Sequence, residues 1–164
     1  MEDQPYIVLL LFIAACVAAA MSGALFRPGE WYERLAKPSW RPPNWLFGPV
    51  WAVLYGMIAV SGWLVWDAAG WAGAALPLAI YGVQLVLNAL WSAIFFGLRK
   101  LGWAIVEMVL LWLSIVGCIV TFHPIHAGAA WLLVPYLVWV SFAMVLNIAV
   151  WRLNLPGRAA SQNS

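Results

Sequence analysis

Residues 71–122 read WAGAALPLAIYGVQLVLNALWSAIFFGL, then the basic pair RK, then LGWAIVEMVLLWLSIVGCIVTF. A helix needs about 20 residues to cross the hydrocarbon core of a membrane, and each apolar segment is at least that long. Both are too long and too evenly apolar for barrel strands, which have about 10 residues of alternating polarity. The stretch therefore predicts two antiparallel transmembrane helices joined by a short basic loop.

Further apolar segments lie on both sides of this helix pair. The predicted spans cover approximately residues 5–26, 46–66, 71–98, 101–122 and 127–151. Of the 164 residues, 66% are hydrophobic and 9% are charged, whereas soluble domains carry about 25% charged residues. We therefore expect an all-α integral membrane protein, with residues 1–164 forming a single domain of five transmembrane helices.

The first predicted loop, residues 27–45, differs from the three short connections that follow it. Its prolines interrupt helix formation and restrict the residues before them, and its aromatic residues favour the membrane interface. We expect this loop to be a folded cap that lies at the membrane interface. The residues concerned are Pro28, Pro38, Pro42 and Pro43, together with Trp31, Tyr32, Trp40 and Trp45.

The charged residues are distributed unevenly between the two ends of the predicted bundle. All eight Lys and Arg residues fall in the first loop, the third loop and the C-terminal segment, whereas Glu2, Asp3 and Asp67 fall at the opposite end. The positive-inside rule then places the N-terminus outside and the C-terminus in the cytoplasm of an inner or plasma membrane. The net charge of +2 is too small to predict nucleic acid binding.

Polar side chains in the third span mark one helical face. Gln84, Asn88 and Trp91 are spaced at i, i+4 and i+7, so they lie on the same side of the helix. Amides within the membrane are costly unless they are hydrogen-bonded or face a cavity. Gln84 and Asn88 therefore either join neighbouring helices through hydrogen bonds or contact a ligand.

Thirteen tryptophans are far more than an aromatic belt at the span ends requires. Trp91, Trp112 and Trp139 lie well inside spans, where they either fill the core or form the wall of a pocket. The second span adds Trp51 and Tyr55 at i, i+4. The fifth span adds Trp131, Pro135, Trp139, Ala143 and Asn147 at successive four-residue steps. Together the second, third and fifth spans could line an aromatic cleft for a large, flat hydrophobe.

The sequence offers little for acid–base or metal chemistry. Glu107 is the one acid inside a span, either a partly solvated interfacial carboxylate or a proton carrier. His123 and His126 flank Pro124 and are interpreted as solvated loop residues, in preference to haem or metal ligands. Cys16 and Cys118 lie in apolar runs and are expected to be buried. No classical catalytic motif is present, so whether the protein is an enzyme stays open, and we expect no metal and no obligatory cofactor.

Three separated segments resemble the translocator protein family, also known as TspO or tryptophan-rich sensory proteins and as peripheral-type benzodiazepine receptors. The resemblance covers most of the chain. The segments are WYERLAKPSWRPPNWLFGPVWAVLYG at 31–56, QLVLNALWSAIFFG at 84–97, and PYLVWVSFAMVLN at 135–147, followed by VWR at 150–152.

The resemblance implies a five-helix bundle, often a homodimer, that binds porphyrins such as protoporphyrin IX and haem. Isoquinoline-carboxamide drugs and cholesterol are further family ligands. By position, the pocket would include Trp51, Asn88, Trp139 and Ala143, and Trp31, Tyr32 and Trp40 would belong to the lid. Tyr55, Gln84 and Trp91 are also predicted to bind the ligand, because their spacing places them on the same helical faces. One departure is Ile148, which stands where the family's cholesterol motif has Tyr, so the sequence favours a tetrapyrrole over a sterol.

Three functions remain open from the sequence. The first is a membrane receptor for porphyrins and similar flat hydrophobes that contributes to tetrapyrrole transport or regulation. The second is light-dependent porphyrin degradation, in which Trp51 and Trp139 would react with the bound, photoexcited ring. The third is translocation of cholesterol or another membrane lipid.

Overall fold

The computed structural model describes residues 4–156, and the secondary structure in that range is helical. Successive elements are connected by short loops, apart from the longer first loop. The helices are α1 (Pro5–Leu25), α2 (Glu30–Arg34), α3 (Asn44–Gly73), α4 (Ala75–Ser92), which continues into a π-helical turn (Ala93–Gly97), α5 (Leu101–Phe122), α6 (Ala127–Leu132) and α7 (Val134–Leu153).

Five helical segments are long and apolar enough to cross a membrane, which confirms the predicted five-helix transmembrane bundle. Helices α1, α3 and α5 each form one span, α4 and its π-helical turn form another, and α6 and α7 together form the last. Helix α4 packs on α5 and α1, α1 also packs on α3, and α5 also packs on α7. Because most large apolar side chains outside these contacts are exposed, the bundle presents an apolar surface to the acyl chains.

The boundaries of the middle spans differ from those expected. Helical structure in α3 continues beyond residue 66 to Gly73 with an interruption at Gly70, and α4 begins at Ala75 instead of residue 71. The chain reverses near Gly70, whose φ of 65° is readily adopted by glycine and strained for other residues. Asp67 does not end the helix, because one acid near a helix end can still reach water.

The last span is interrupted close to Pro135, a residue type that favours a bend in a helix. Leu133 separates α6 from α7, and Pro135 occupies the first turn of α7. Proline is tolerated there because the amides of a first turn have no intrahelical acceptor. His126 caps α6: its Nδ1 accepts a hydrogen bond from the Ala129 amide at 3.1 Å. His126 therefore stabilises a helix start in addition to lying in a loop.

The first loop is structured, as predicted, and is fastened to the end of α7. Asn154 accepts a hydrogen bond from the Ala36 amide at 3.0 Å and donates one to the Ala36 carbonyl at 2.9 Å. This places the first loop and the C-terminal end of the bundle on the same side, as the charge distribution requires. Three charged residues in that argument, Glu2, Asp3 and Arg158, lie outside the described range.

The half of the bundle away from the first loop is closely packed. The ring of Tyr81 lies against Phe12 and Phe122, with centroid distances of 5.5 and 6.2 Å, and its hydroxyl donates to the Ile58 carbonyl at 3.0 Å. A Cβ atom at Gly62 would lie 2.7 Å from the Phe12 ring and 2.8 Å from Tyr81. We call this region, defined by these five residues, the packed half.

Candidate ligand-binding site

The half of the bundle next to the first loop contains a cavity of about 680 Å³. Helices α3, α4, α5 and α7 form its walls, α1 contributes small residues, and the first loop closes one end. Its size lies within the range of about 300–1,000 Å³ typical of small-molecule sites. The aromatic residues on its wall are Tyr32, Phe47, Trp51, Tyr55, Trp91, Phe95, Phe96 and Trp139.

One wall of the cavity is fixed by a chain of hydrogen bonds between α3, α4 and α7. The Tyr55 hydroxyl donates to Asn88 Oδ1 at 2.6 Å, and Asn88 Nδ2 donates to the Tyr136 hydroxyl at 2.6 Å. The Tyr136 hydroxyl in turn donates to Gln84 Oε1 at 3.0 Å. Asn88 and Tyr55 line the cavity, whereas Gln84 lies behind the wall and is 1% exposed.

The position of Gln84 differs from the one expected for a ligand contact. Its carbonyl oxygen serves Tyr136, so the side chain joins α4 to α7 instead of facing the cavity. Asn88, one turn further along α4, combines both roles that the sequence left open. It links three helices through its amide and still contributes to the cavity wall.

The predicted aromatic residues of α3, α4 and α7 meet around this cavity. Trp51 lies 5.5 Å from Tyr55 between ring centroids, and Trp139 lies 5.6 Å from Phe47. Within the described range, the indole nitrogens of Trp91 and Trp139 are buried without a hydrogen-bond partner. A buried N–H group is costly when unpaired, and because these nitrogens are buried, the two side chains contribute aromatic ring surface to the cavity wall.

Small and polar residues in the C-terminal half of α7 line another side of the cavity. Ala143 lies on the wall one turn after Trp139, and Asn147 follows one turn later. Asn147 Nδ2 lies 3.4 Å from the Met108 sulfur, while its Oδ1 is buried and has no partner among residues 4–156. Because Ala143 has a minimal side chain, space remains open between Trp139 and Asn147.

The three predicted lid residues occupy different places. Tyr32 is buried and faces the cavity, with Phe96 at 5.5 Å and Phe95 at 6.1 Å between ring centroids. Trp31 contacts Phe95 but lines a separate surface pocket, and Trp40, 49% exposed, packs on Phe142 outside the cavity. Sequence alone does not determine these orientations, because a proline-rich loop has no helical period to assign its faces.

Basic side chains hold the lid but do not line the cavity. Lys37 Nζ lies 4.7 Å from the centre of the Tyr32 ring, and Arg41 donates to the Tyr32 hydroxyl at 3.3 Å and to Asn44 Oδ1 at 3.0 Å. The cavity lining in the described part of the chain includes Glu33 and no Lys or Arg. Arg41 therefore does not line the cavity, but it contacts Tyr32 and Asn44, which both do.

Several residues that sequence reasoning did not select also belong to the site. Phe47 precedes Trp51 by one helical turn, a spacing that could have identified it. Tyr136, which joins Asn88 to Gln84, precedes Trp139 by three residues and Ala143 by seven, so helical spacing could have identified it as well. Conversely, the interior Trp112 donates to Ser141 at 2.9 Å and so joins α5 to α7 away from the cavity lining.

Glu107 and the histidines lie apart from the lining of this site. Glu107 is 5% exposed, and both carboxyl oxygens are buried without a hydrogen-bond partner in the described range. Cys16 and Cys118 are buried thiols, as expected. Over residues 4–156 no group of three or more His, Cys, Asp or Glu side chains is arranged to hold a metal ion.

Comparison with known proteins extends over nearly the whole chain. The model of the TspO/MBR family matches residues 12–152. Protein CrtK of Rhodobacter capsulatus is 44% identical over 154 residues, covering 90% of this chain and 92% of the relative. The human translocator protein is 40% identical over 155 residues, covering 92% of each, and the tryptophan-rich sensory protein of Cereibacter sphaeroides is 38% identical over 152 residues, covering 93% and 94%. The chain therefore belongs to the TspO/MBR family of integral, multi-pass membrane proteins.

Proposed function

We propose that the cavity binds a tetrapyrrole, such as protoporphyrin IX or haem, and that the protein is a membrane receptor contributing to tetrapyrrole transport or regulation. The observation that carries this proposal is the convergence of Trp51, Trp91 and Trp139 from three helices on one cavity. Aromatic rings stack on a flat conjugated ligand, and each aromatic pair contributes about 0.5–1.5 kcal/mol beyond burial.

The polar groups of the site match the edge of a porphyrin better than its face. Asn88 and Tyr55 lie on the wall formed by α3 and α4, Asn147 lies on α7, and aromatic side chains supply most of the remaining lining. Arg41 is the cation that we assign to a propionate, because it bonds two lining residues at the lid end of the cavity. A small outward movement of Tyr32 would bring the Arg41 guanidinium within reach of a propionate carboxylate. A guanidinium can bind a carboxylate through two hydrogen bonds.

The test is a titration of the detergent-solubilised protein with protoporphyrin IX, followed by the shift of the porphyrin Soret absorption. The double variant Trp51→Phe/Trp139→Phe should bind about 10-fold more weakly, since it loses indole surface on two walls. The matched control is Trp103→Phe/Trp131→Phe, which also removes two indoles but at sites 65% and 66% exposed. Equal affinity of both double variants and the parent would rule out this cavity as the site.

A second candidate function is light-dependent degradation of the bound porphyrin, with dioxygen as the oxidant. It is favoured by Trp51 and Trp139 both lining the cavity, where an excited ring would lie next to oxidisable indoles. Illumination in air should then reduce the Soret absorbance of the parent complex, and Trp51→Phe/Trp139→Phe should slow that loss at equal porphyrin occupancy. Unchanged absorbance of the parent under illumination would exclude degradation and leave binding.

We also propose that the lid end of the bundle faces the cytoplasm. The basic loops and the C-terminal end lie together at that end, and the positive-inside rule assigns them to the cytoplasmic side. Membrane-impermeant thiol labelling of Ser39→Cys in intact cells, with Cys16 and Cys118 replaced by Ala, tests this. Rapid labelling from outside the cell would show the opposite orientation.

A further inference from the structure

A second pocket, of about 460 Å³, lies at the surface of the lid end, outside the aromatic cavity. Arg27, Arg34 and Arg99 line it together with Glu30, which gives it three cationic groups and one anionic group. Trp31 and Phe96 supply an apolar side. Arg27 follows the end of α1 and Arg99 follows the end of the third span, so the pocket lies at the depth of the lipid headgroups.

The arginines of this pocket are held in place but are not neutralised equally. Arg34 pairs with Glu30 at 3.2 Å, and both side chains are more than four-fifths exposed, so this ion pair is weak. Arg27 donates from Nε to the Ala24 carbonyl at 3.0 Å, which fixes the side chain and keeps its positive charge. Arg99 stacks over the Trp31 ring, with Cζ at 5.8 Å from the ring centre.

The backbone at Arg99 gives a separate argument that this arginine serves a function. Its φ of 57° is the one positive value at a residue other than glycine within the described range. A residue in this conformation commonly ends a helix, and glycine takes it without strain. Here the residue is an arginine, although this backbone conformation is strained for it. From this position its guanidinium stacks on Trp31 and lines the pocket.

We propose that this pocket binds the phosphate of an anionic membrane lipid, with Arg27 and Arg99 as the principal phosphate contacts and Trp31 packing beside the glycerol. Arginine recognises phosphate oxygens through paired hydrogen bonds. Basic pockets between helices on the cytoplasmic side are a known form of headgroup recognition. The apolar side formed by Trp31 and Phe96 distinguishes this site from a purely charged surface that would attract any anion.

The test measures lipid binding to the purified protein by native mass spectrometry, using dihexanoylphosphatidic acid, dihexanoylphosphatidylcholine and inorganic phosphate as probes. Arg27→Gln/Arg99→Gln should reduce phosphatidic acid affinity at least about 10-fold. The matched control, Lys100→Gln/Arg152→Gln, removes the same charge from the same end of the bundle at residues outside the pocket, and should change affinity less than about 3-fold. Equal losses in both double variants would show diffuse attraction and overturn the proposal.

Arg99→Gly separates binding from folding. Glycine relieves the backbone strain, so thermal stability should be unchanged or higher, while phosphatidic acid binding should fall. Binding that survives in Arg99→Gly and in Arg27→Gln/Arg99→Gln would also overturn the proposal, as would phosphatidylcholine binding as tightly as phosphatidic acid. If inorganic phosphate alone binds as tightly and with the same arginine dependence, the phosphate chemistry holds and the source is soluble phosphate instead of lipid.

Porphyrin titration of the same variants distinguishes this site from the aromatic cavity. Arg27 and Arg99 do not line that cavity, so Arg27→Gln/Arg99→Gln should leave the Soret titration unchanged. A loss of porphyrin affinity with full retention of phosphatidic acid binding would reassign the arginines to the propionates and remove the lipid site.

Discussion

The two halves of this bundle are both rich in aromatic side chains, yet one is packed and the other is hollow. In the packed half, Phe12 and Phe122 both contact the Tyr81 ring, and Gly62 leaves space that Phe12 and Tyr81 fill. In the other half, Trp51 and Trp139 surround a cavity of about 680 Å³. Aromatic content therefore does not by itself make a binding site.

The two halves differ in whether the space beside their small residues is filled and in how their polar atoms are paired. The Tyr81 hydroxyl in the packed half bonds a backbone carbonyl, so its polar group is satisfied within the protein. In the hollow half, the small residue Ala143 faces empty space, and the polar atoms of Trp91, Trp139 and Asn147 lack partners in the described chain. Unpaired buried polar atoms also occur at Trp66 and Glu107, which do not line the cavity, so the unfilled volume with its aromatic and polar lining is the feature that indicates a ligand site.

The largest expected effect comes from making the hollow half resemble the packed one. Ala143→Phe places a ring in the cavity, so protoporphyrin IX affinity should fall at least about 100-fold, or about 2.7 kcal/mol. The free energy of unfolding should not decrease, because the new ring fills existing space. Soret titration and thermal unfolding measure the two quantities. Tight porphyrin binding by a stable Ala143→Phe protein would contradict the position of the site.

A similar increase in side-chain size tests how closely the packed half is packed. Gly62→Ala adds a Cβ 2.7 Å from the Phe12 ring and should destabilise the protein by roughly 1–3 kcal/mol through overpacking. Its control is Gly56→Ala in the same helix, where no neighbouring atom lies within 4 Å and the helix propensity of Ala should slightly stabilise. Denaturation in SDS mixed micelles compares the two. Equal stability of both variants would mean that the packed half has more room than described.

A smaller effect should follow from removing the hydroxyl that joins α7 to α4 in the cavity wall. Tyr136→Phe leaves Asn88 Nδ2 and Gln84 Oε1 without their partner and should cost about 1–2 kcal/mol of unfolding free energy. It should also weaken porphyrin binding several-fold, because Asn88 loses its fixed orientation. Tyr6→Phe, at a tyrosine 75% exposed, is the control. A Tyr136→Phe variant as stable as Tyr6→Phe would contradict the network.

The smallest expected effect concerns how the hollow half is closed. Asn154→Ala removes both hydrogen bonds to Ala36, each contributing about 0.5–1 kcal/mol at an exposed position. Porphyrin association and dissociation should both accelerate a few-fold, with a smaller change in Kd, as stopped-flow absorbance would measure. Asn154→Asp keeps the acceptor for the Ala36 amide and should be intermediate. Unchanged rates would show that the first loop does not control entry.

The sequence predicts the helical part of this structure well, and the loop part poorly. Helical spacing identifies Trp51 with Tyr55, and Trp139 with Ala143, because residues four apart share a face whatever their surroundings. It cannot show that Gln84 turns behind the wall, since that depends on the Tyr136 hydroxyl arriving from α7. The sequence groups Trp31 and Trp40 with Tyr32 as lid residues, yet the local turns of a proline-rich loop, and not a helical period, determine where each side chain points.

The π-helical turn at Ala93–Gly97 has a consequence for how this chain tolerates insertions and deletions. The wider winding accommodates one extra residue, with the Leu98 amide bonded to the Ala93 carbonyl five positions back. Deleting one residue there should restore regular winding and leave the segments on both sides in nearly the same orientation, because the wide turn is what absorbs the extra residue. Phe95 and Phe96 lie within the turn and both contact Tyr32. A deletion of one residue in this turn should therefore change the contacts of the lid while the helices of the bundle keep their register.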